Sequence, residues 1–135
     1  MFGSLDISTS ALVAQRTRLE VISANLAGKD AICDAKGNYA PYRRRIPILA
    51  AGDPTTGRSE GVHVQEIALD RAPFRKVFEG IGAPHADAKG YVDYPNVDEA
   101  TEMVNALDAT RAYEANITAA EAAKSMIQAS MRLLA

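Results

Sequence analysis

The sequence predicts an α+β fold that is mainly α. An N-terminal and a C-terminal helix should pair as a coiled-coil-like antiparallel hairpin, with a small antiparallel β region between them in the chain. Three observations predict it. Val97 to Ala135 contains neither Gly nor Pro. At the other end Leu5, Leu12, Leu19 and Leu26 recur every seven residues. Between the two, apolar and polar residues alternate in short runs broken by Gly, Pro, Asn and Asp. The expected division is an N-terminal helix over 1–28, a β-rich middle over 29–96 and a long C-terminal helix over 97–135.

The first helix runs from Phe2 to Ala27. Ser8, Gln15 and Ile22 complete a 3–4 alternation with the four leucines, which is the pattern of a short coiled-coil seam. Gly28 follows directly and suits a left-handed residue that ends the helix. Ser4, Ser8, Thr9 and Ser10 are mediocre helix formers, so this end is expected to need a covering partner.

Residues 29–41 (KDAICDAKGNYAP) read as a loop. Tyr42–Ala50 alternates, with Tyr42, Arg44, Ile46, Ile48 and Ala50 on one face and Arg43, Arg45, Pro47 and Leu49 on the other. Pro47 has no N–H to give a ladder, which predicts an edge strand or a bulge. Residues 51–61 read as a turn or loop. Val62–Leu69 gives a second strand and Phe74–Phe78 a third, joined with the first in one small sheet. Tyr91–Tyr94 is extended, and Pro95 leads into the long helix.

Asn96 is the expected N-cap of that helix, with Glu99 three residues on to reach back to it. At 1.5 Å per residue the helix would be roughly 57 Å long. Its expected seam is Met103, Leu107, Thr110, Tyr113, Ile117, Ala120, Ala123, Ile127, Met131 and Leu134. The mean spacing of about 3.4 is nearer a coiled coil than a straight helix. The first helix covers roughly 36 Å, leaving about 20 Å of the second uncovered, with Ile127, Met131 and Leu134 on it. An uncovered apolar stripe predicts a partner, either another copy or a different protein.

Composition removes several function classes. A net charge of −2 gives no general affinity for nucleic acid or acidic membranes. No apolar run reaches membrane-spanning length, so direct membrane insertion is not expected, and Asp6 interrupts the only candidate signal peptide. Cys33 is the sole cysteine, which excludes an intramolecular disulfide. His63 and His85 stand in different segments with no second ligand at metal spacing. No phosphate-binding, dinucleotide-binding or nucleophile-elbow motif is present. No catalytic, cofactor-binding or metal site is therefore expected. Arg43, Arg44 and Arg45 form the one basic run. With the acid-rich C-terminal helix opposite, they are candidates for charge contacts between subunits.

Several stretches resemble one family. Residues 86–98 (ADAKGYVDYPNVD), 102–107 (EMVNAL), 111–116 (RAYEAN) and 124–126 (KSM), with 10–27 (SALVAQRTRLEVISANLA), resemble the bacterial flagellar basal-body rod proteins, closest to their proximal-rod members. Gly28 departs from the Asn common there, and Gly82-Ala83-Pro84-His85 from a Pro-Gly turn. The resemblance implies a structural subunit with no catalysis and no cofactor. It implies export unfolded through the flagellar type III apparatus without a cleaved signal. It also implies assembly in the periplasmic rod, with copies of itself and other rod proteins, by packing the terminal helices around a central channel. The interface expected on that basis is Leu5, Leu12, Leu19, Ile22, Leu26, Met103, Leu107, Tyr113, Ile117, Ile127, Met131 and Leu134. The competing expectation is a soluble adaptor or chaperone-like module that grips one partner through the long helix.

Overall fold

The structure, a computed structural model, describes residues 2–135. Its elements in order are α1 (Phe2–Ala27), β1 (Arg45–Asp53), β2 (Arg58–Leu69), β3 (Arg75–Phe78), β4 (Tyr91–Tyr94) and α2 (Glu99–Leu134). The helices pair antiparallel. Asn25 meets Glu102 near one end of the pair, and Arg18 meets Asp108 further along. By that register α1 runs out beside Lys124 and Ser125, and the remainder of α2 projects roughly 14 Å further. The overhang is shorter than the sequence suggested, because α2 begins only at Glu99 and the 26 residues of α1 span about 39 Å.

The cap of α2 is Asp98, whose carboxylate accepts the Thr101 N–H at 3.0 Å. Asn96 does not cap, because its side chain is already committed. Its Oδ1 accepts the Arg44 N–H at 3.0 Å, and its amide donates to the carbonyls of Asp70 and Ala72. Glu99 turns outward to Lys29 at 2.6 Å. Gly28 also differs from expectation: it is absent from the positive-φ glycines and its N–H continues the helix to Ala24. The constraint there is space, since a Cβ on Gly28 would stand 2.9 Å from the Tyr42 ring.

The β region forms two separate ribbons instead of one sheet. β1 pairs antiparallel with β2 from Arg45↔Leu69 to Asp53↔Arg58, with an irregularity between Ile48 and Leu49, just after Pro47. β1 begins later than the alternation suggested and runs on to Asp53. The turn-rich stretch after it stays extended because a tight turn is available: Gly57 N–H returns to the Asp53 carbonyl at 2.9 Å, and the Asp53 carboxylate accepts from Thr55 and Thr56. β3 pairs with β4 from Arg75↔Tyr94 to Phe78↔Tyr91.

The β1–β2 hairpin lies along α1. The Val62 N–H donates to Ser10 Oγ at 3.1 Å, and Arg58 lies 3.8 Å from Asp6. α1 is thus covered on adjacent faces by α2 and the hairpin, whereas α2 packs on α1 and not on the hairpin. The core is thin: Ala14, Val21, Ile22, Val92, Val97, Ala109 and Ala123 are its buried apolar residues, with Pro95.

Several carboxylates are held down by these turns and caps. The Thr55 hydroxyl, with the Thr55 N–H and the Thr56 hydroxyl, lowers Asp53 to about 2. The Ala72 N–H, aided by Arg44, lowers Asp70, and Thr101 lowers Asp98. A carboxyl depressed in the folded state stabilises above its unfolded pKa and loses that contribution as pH falls through the folded value. The urea midpoint should therefore be flat from about pH 7 to 5 and fall between about pH 4 and 2. Asp53→Asn should lower the midpoint at neutral pH and make the acid limb shallower; an unchanged limb would contradict the assignment.

Candidate functional site

Two features stand out: a buried polar junction where α1, α2 and β1 meet, and exposed apolar surface on the helices.

The junction is built on Glu102, which is 1 % exposed. It sits one turn into α2 on the row that faces α1. Its Oε1 accepts from Arg44 Nε at 2.6 Å, and its Oε2 accepts from the Asn25 amide at 3.1 Å. Asn25, equally buried, uses its whole hydrogen-bonding capacity. Its amide also donates to the Arg45 carbonyl at 2.8 Å, and its Oδ1 accepts the Arg45 N–H and the Tyr42 hydroxyl, both at 2.9 Å. The side chain thus pairs with the backbone of β1's first residue as a neighbouring strand would. Arg44 spans the junction and reaches Asp70 Oδ2 at 3.2 Å with NH1. Burial pulls the Arg44 pKa down, but the bonds to Glu102 and Asp70 outweigh it and raise it. Burial lifts the Tyr42 hydroxyl above its usual range.

These groups are acceptors and donors already satisfied by one another. Asn25, Arg44 and Glu102 border a cleft of about 330 Å³, but their polar atoms are engaged with one another and with Asp70, Arg45 and Tyr42. Among the described residues no three His, Cys, Asp or Glu side chains are grouped to hold a metal ion. His63 Nδ1 lies 2.7 Å from the Gly52 carbonyl, and His85 stacks on Tyr39 with centroids 4.7 Å apart. Cys33 is exposed. Among the described residues no helix is long and apolar enough to cross a membrane.

The expected seam residues divide. In α1, Ile22 is buried, and Leu5, Leu12, Leu19 and Leu26 are half-buried. In α2, Tyr113 and Ile127 are half-buried. Met103, at 56 % exposure, and Leu107, Ile117, Met131 and Leu134 are exposed. The row of α2 that faces α1 runs through Glu102, Ala106, Ala109, Tyr113, Asn116, Ala120, Ala123 and Ile127, all buried or half-buried. Small side chains let two helix backbones approach, which suits the four alanines of that row, while Met103, Leu107, Met131 and Leu134 remain outside. The expected seam coincides with that row at Tyr113, Ala120, Ala123 and Ile127, and stands one residue away, roughly 100° of arc, at Met103, Leu107, Thr110 and Ile117.

The three arginines also separate. Arg44 is committed to Glu102 and Asp70 within the chain. Arg43 donates to the carbonyls of Asp70 and Ala72 and lies 4.1 Å from the Phe74 ring centre. Arg45 is exposed, with its guanidinium 5.6 Å from the Tyr42 ring centre. Asn25, Glu102, Asp70 and Asn96 were missed as a site. The available signal was an Asn and a Glu each set among apolar residues (VISANLA and TEMV), which asks for a partner if buried.

Residues 5–27 match the family described as "Flagella basal body rod protein". Residues 88–133 match "Flagellar basal body rod FlgEFG protein C-terminal". The chain is 38 % identical over 148 aligned positions to "Flagellar basal-body rod protein FlgC" of Bacillus subtilis, covering 98 % of this chain and 97 % of that one. It is 40 % identical over 133 positions to the protein of that name from Escherichia coli, with the same coverage. It is 33 % identical over 150 positions to that of Borreliella burgdorferi, covering 99 % and 97 %.

The junction can be tested by contrast. Glu102→Ala should cost about 3–5 kcal/mol in urea unfolding, because it leaves Arg44 and Asn25 without their buried acceptor. Asp108→Ala removes an exposed ion pair with Arg18 and should cost less than about 1 kcal/mol. Equal costs would show that Glu102 is not the pivot of the fold.

Proposed function

The chain belongs to the flagellar basal-body rod protein family, among its FlgC-like members, and from that membership we propose how it takes its place in the rod. It is a structural subunit of the basal-body rod and assembles with other rod components. In our reading, neighbours pack against the paired terminal helices, copies of this chain among them, around the export channel. The β ribbons lie outward. The chain is delivered by the type III export apparatus without a cleaved signal and acts in the periplasmic space, and it carries no catalysis. Leu5, Leu12, Leu19, Ile22, Leu26, Tyr113 and Ile127 hold the pair together or border it. Met103, Leu107, Ile117, Met131 and Leu134 meet neighbours. Of the three arginines, Arg45 is the one placed to contact another subunit.

The observation that carries this reading is the large apolar surface left outside on α2: Met103, Val104, Leu107, Met126, Met131, Leu133 and Leu134 are all exposed. A helix this rich in exposed aliphatic and Met side chains supports a surface completed by other subunits. Each such side chain contributes roughly 1.5–3 kcal/mol when fully buried. No observation favours the adaptor reading.

The expected outcome of changing Ile127, Met131 and Leu134 together to Ser is normal export and an intact β region with loss of stable rod assembly. Secretion assays, circular dichroism of the purified chain and basal-body yield measure the three separately. Wild-type rod formation by an exported triple variant would overturn the proposed role of the α2 end.

A further inference from the structure

The β1–β2 hairpin and the first half of α1 enclose a groove of about 600 Å³ between Gly3–Thr17 and Gly52–Val64. Its apolar lining comes from Ile7, Val13, Ala14, Val62 and Val64. Val13 is 61 % exposed there, a high value for an aliphatic residue beside a cavity. Among the described residues the rim is acidic: Asp6, Asp53 and Glu60 outnumber Arg58, which lies 3.8 Å from Asp6. Hydrogen bonds from Thr55 and Thr56 hold the Asp53 carboxyl down at about 2.

The α2 tip has the opposite character. Residues 122–134 carry Lys124 and Arg132 and no acid. Met126, Met131, Leu133 and Leu134 are exposed along it, Leu134 at 89 %. The tip cannot fold back into its own groove as a straight helix, because α2 packs on a different face of α1 and runs past the start of α1. The lengths agree. Gly3–Thr17 spans roughly 21 Å of helix, and the projecting part of the tip, Ser125–Leu134, roughly 14 Å, so the tip fits within the groove.

We propose that the groove between α1 and the β1–β2 hairpin receives the α2 tip of a second copy of this chain. Apolar side chains of the tip fill the lining, and Lys124 and Arg132 face the acidic rim. The inference rests on the rod-subunit reading and adds the address of one contact to it. Tip and groove are different surfaces, so the contact is heterologous. Repeated from copy to copy, such a contact generates a ring where the rotation closes and a helical array where it does not.

Two differently tagged chains, both carrying Cys33→Ser, test it. One carries Val13→Cys in the groove and the other Leu133→Cys on the tip. They are co-expressed in cells lacking the native chain, and purified basal bodies are treated with a short bismaleimide. A mixed-tag product is expected. Lys124→Glu with Arg132→Glu on the tip chain should reduce it roughly five- to tenfold, and Asp6→Lys with Glu60→Lys on the groove chain should restore it. Thr17→Cys replaces Val13→Cys if that variant fails to incorporate. Rods that contain both chains but yield no mixed product overturn the inference and leave the rod reading standing. So does a product indifferent to the charge reversal, or one that joins the tip to another rod protein. Basal bodies lacking even the tagged parent chain overturn both.

Discussion

A buried carboxylate with two donors fixes where everything else in this chain can sit. Glu102 is shielded from water, and an ionised group in that position is tolerable only if its partners are in place. Arg44 supplies charge from the strand side, and Asn25 supplies an amide from the helix side. Each partner is in turn tied to others: Asn25 to the backbone of Arg45 and to Tyr42, and Arg44 to Asp70 and Asn96. A displacement of either helix or of the hairpin base would strip a buried group of its bond. The junction therefore sets position even if its net contribution to stability is modest.

Position has to be set by something, because the rest of the helix interface specifies little. Half of its inner row on α2 is alanine, and one alanine presents nearly the same surface as the next. Such a row allows close approach but leaves axial register weakly defined. The polar junction supplies the missing landmark at one end, and the exposed Arg18–Asp108 pair adds little to it. The same division of labour leaves the larger side chains free. Aliphatic and Met residues that would fill the centre of an ordinary two-helix domain are here on the outside, which suits a subunit whose core is completed by its neighbours.

Much of the fold was legible because it rests on strong local signals. The Gly- and Pro-free run before Ala135 and the leucine repeat before Gly28 gave both helices, and the Tyr91–Tyr94 strand was read with its observed bounds. What failed did so where a tertiary contact overrode a local preference. Asn96 is a good cap by type but was taken by Arg44 and Asp70, so Asp98 capped instead. Gly28 looked like a left-handed stop but is required by the Tyr42 ring. Residues 51–61 looked like a loop, yet the Asp53 turn closes tightly enough for both flanks to pair. The junction was harder still. Its members lie far apart in the chain, and none belongs to a motif with its own chemistry. The sequence-level family resemblance spanned Asn25 and Glu102 without indicating that they touch.

That separation has a kinetic consequence. The bond between Asn25 and Glu102 closes a loop of 77 residues. Neither helix can lock onto the other until nearly the whole chain is present, and closing so long a loop carries an entropic cost before any contact returns it. Contacts this distant raise contact order and slow the final step of folding compared with a bundle of adjacent helices. The two hairpins, closed over short spans, can form early, while the ends search for one another. A chain threaded through a narrow passage from either end would thus remain pliable until its last helix had emerged, and would then set its shape in a single late step.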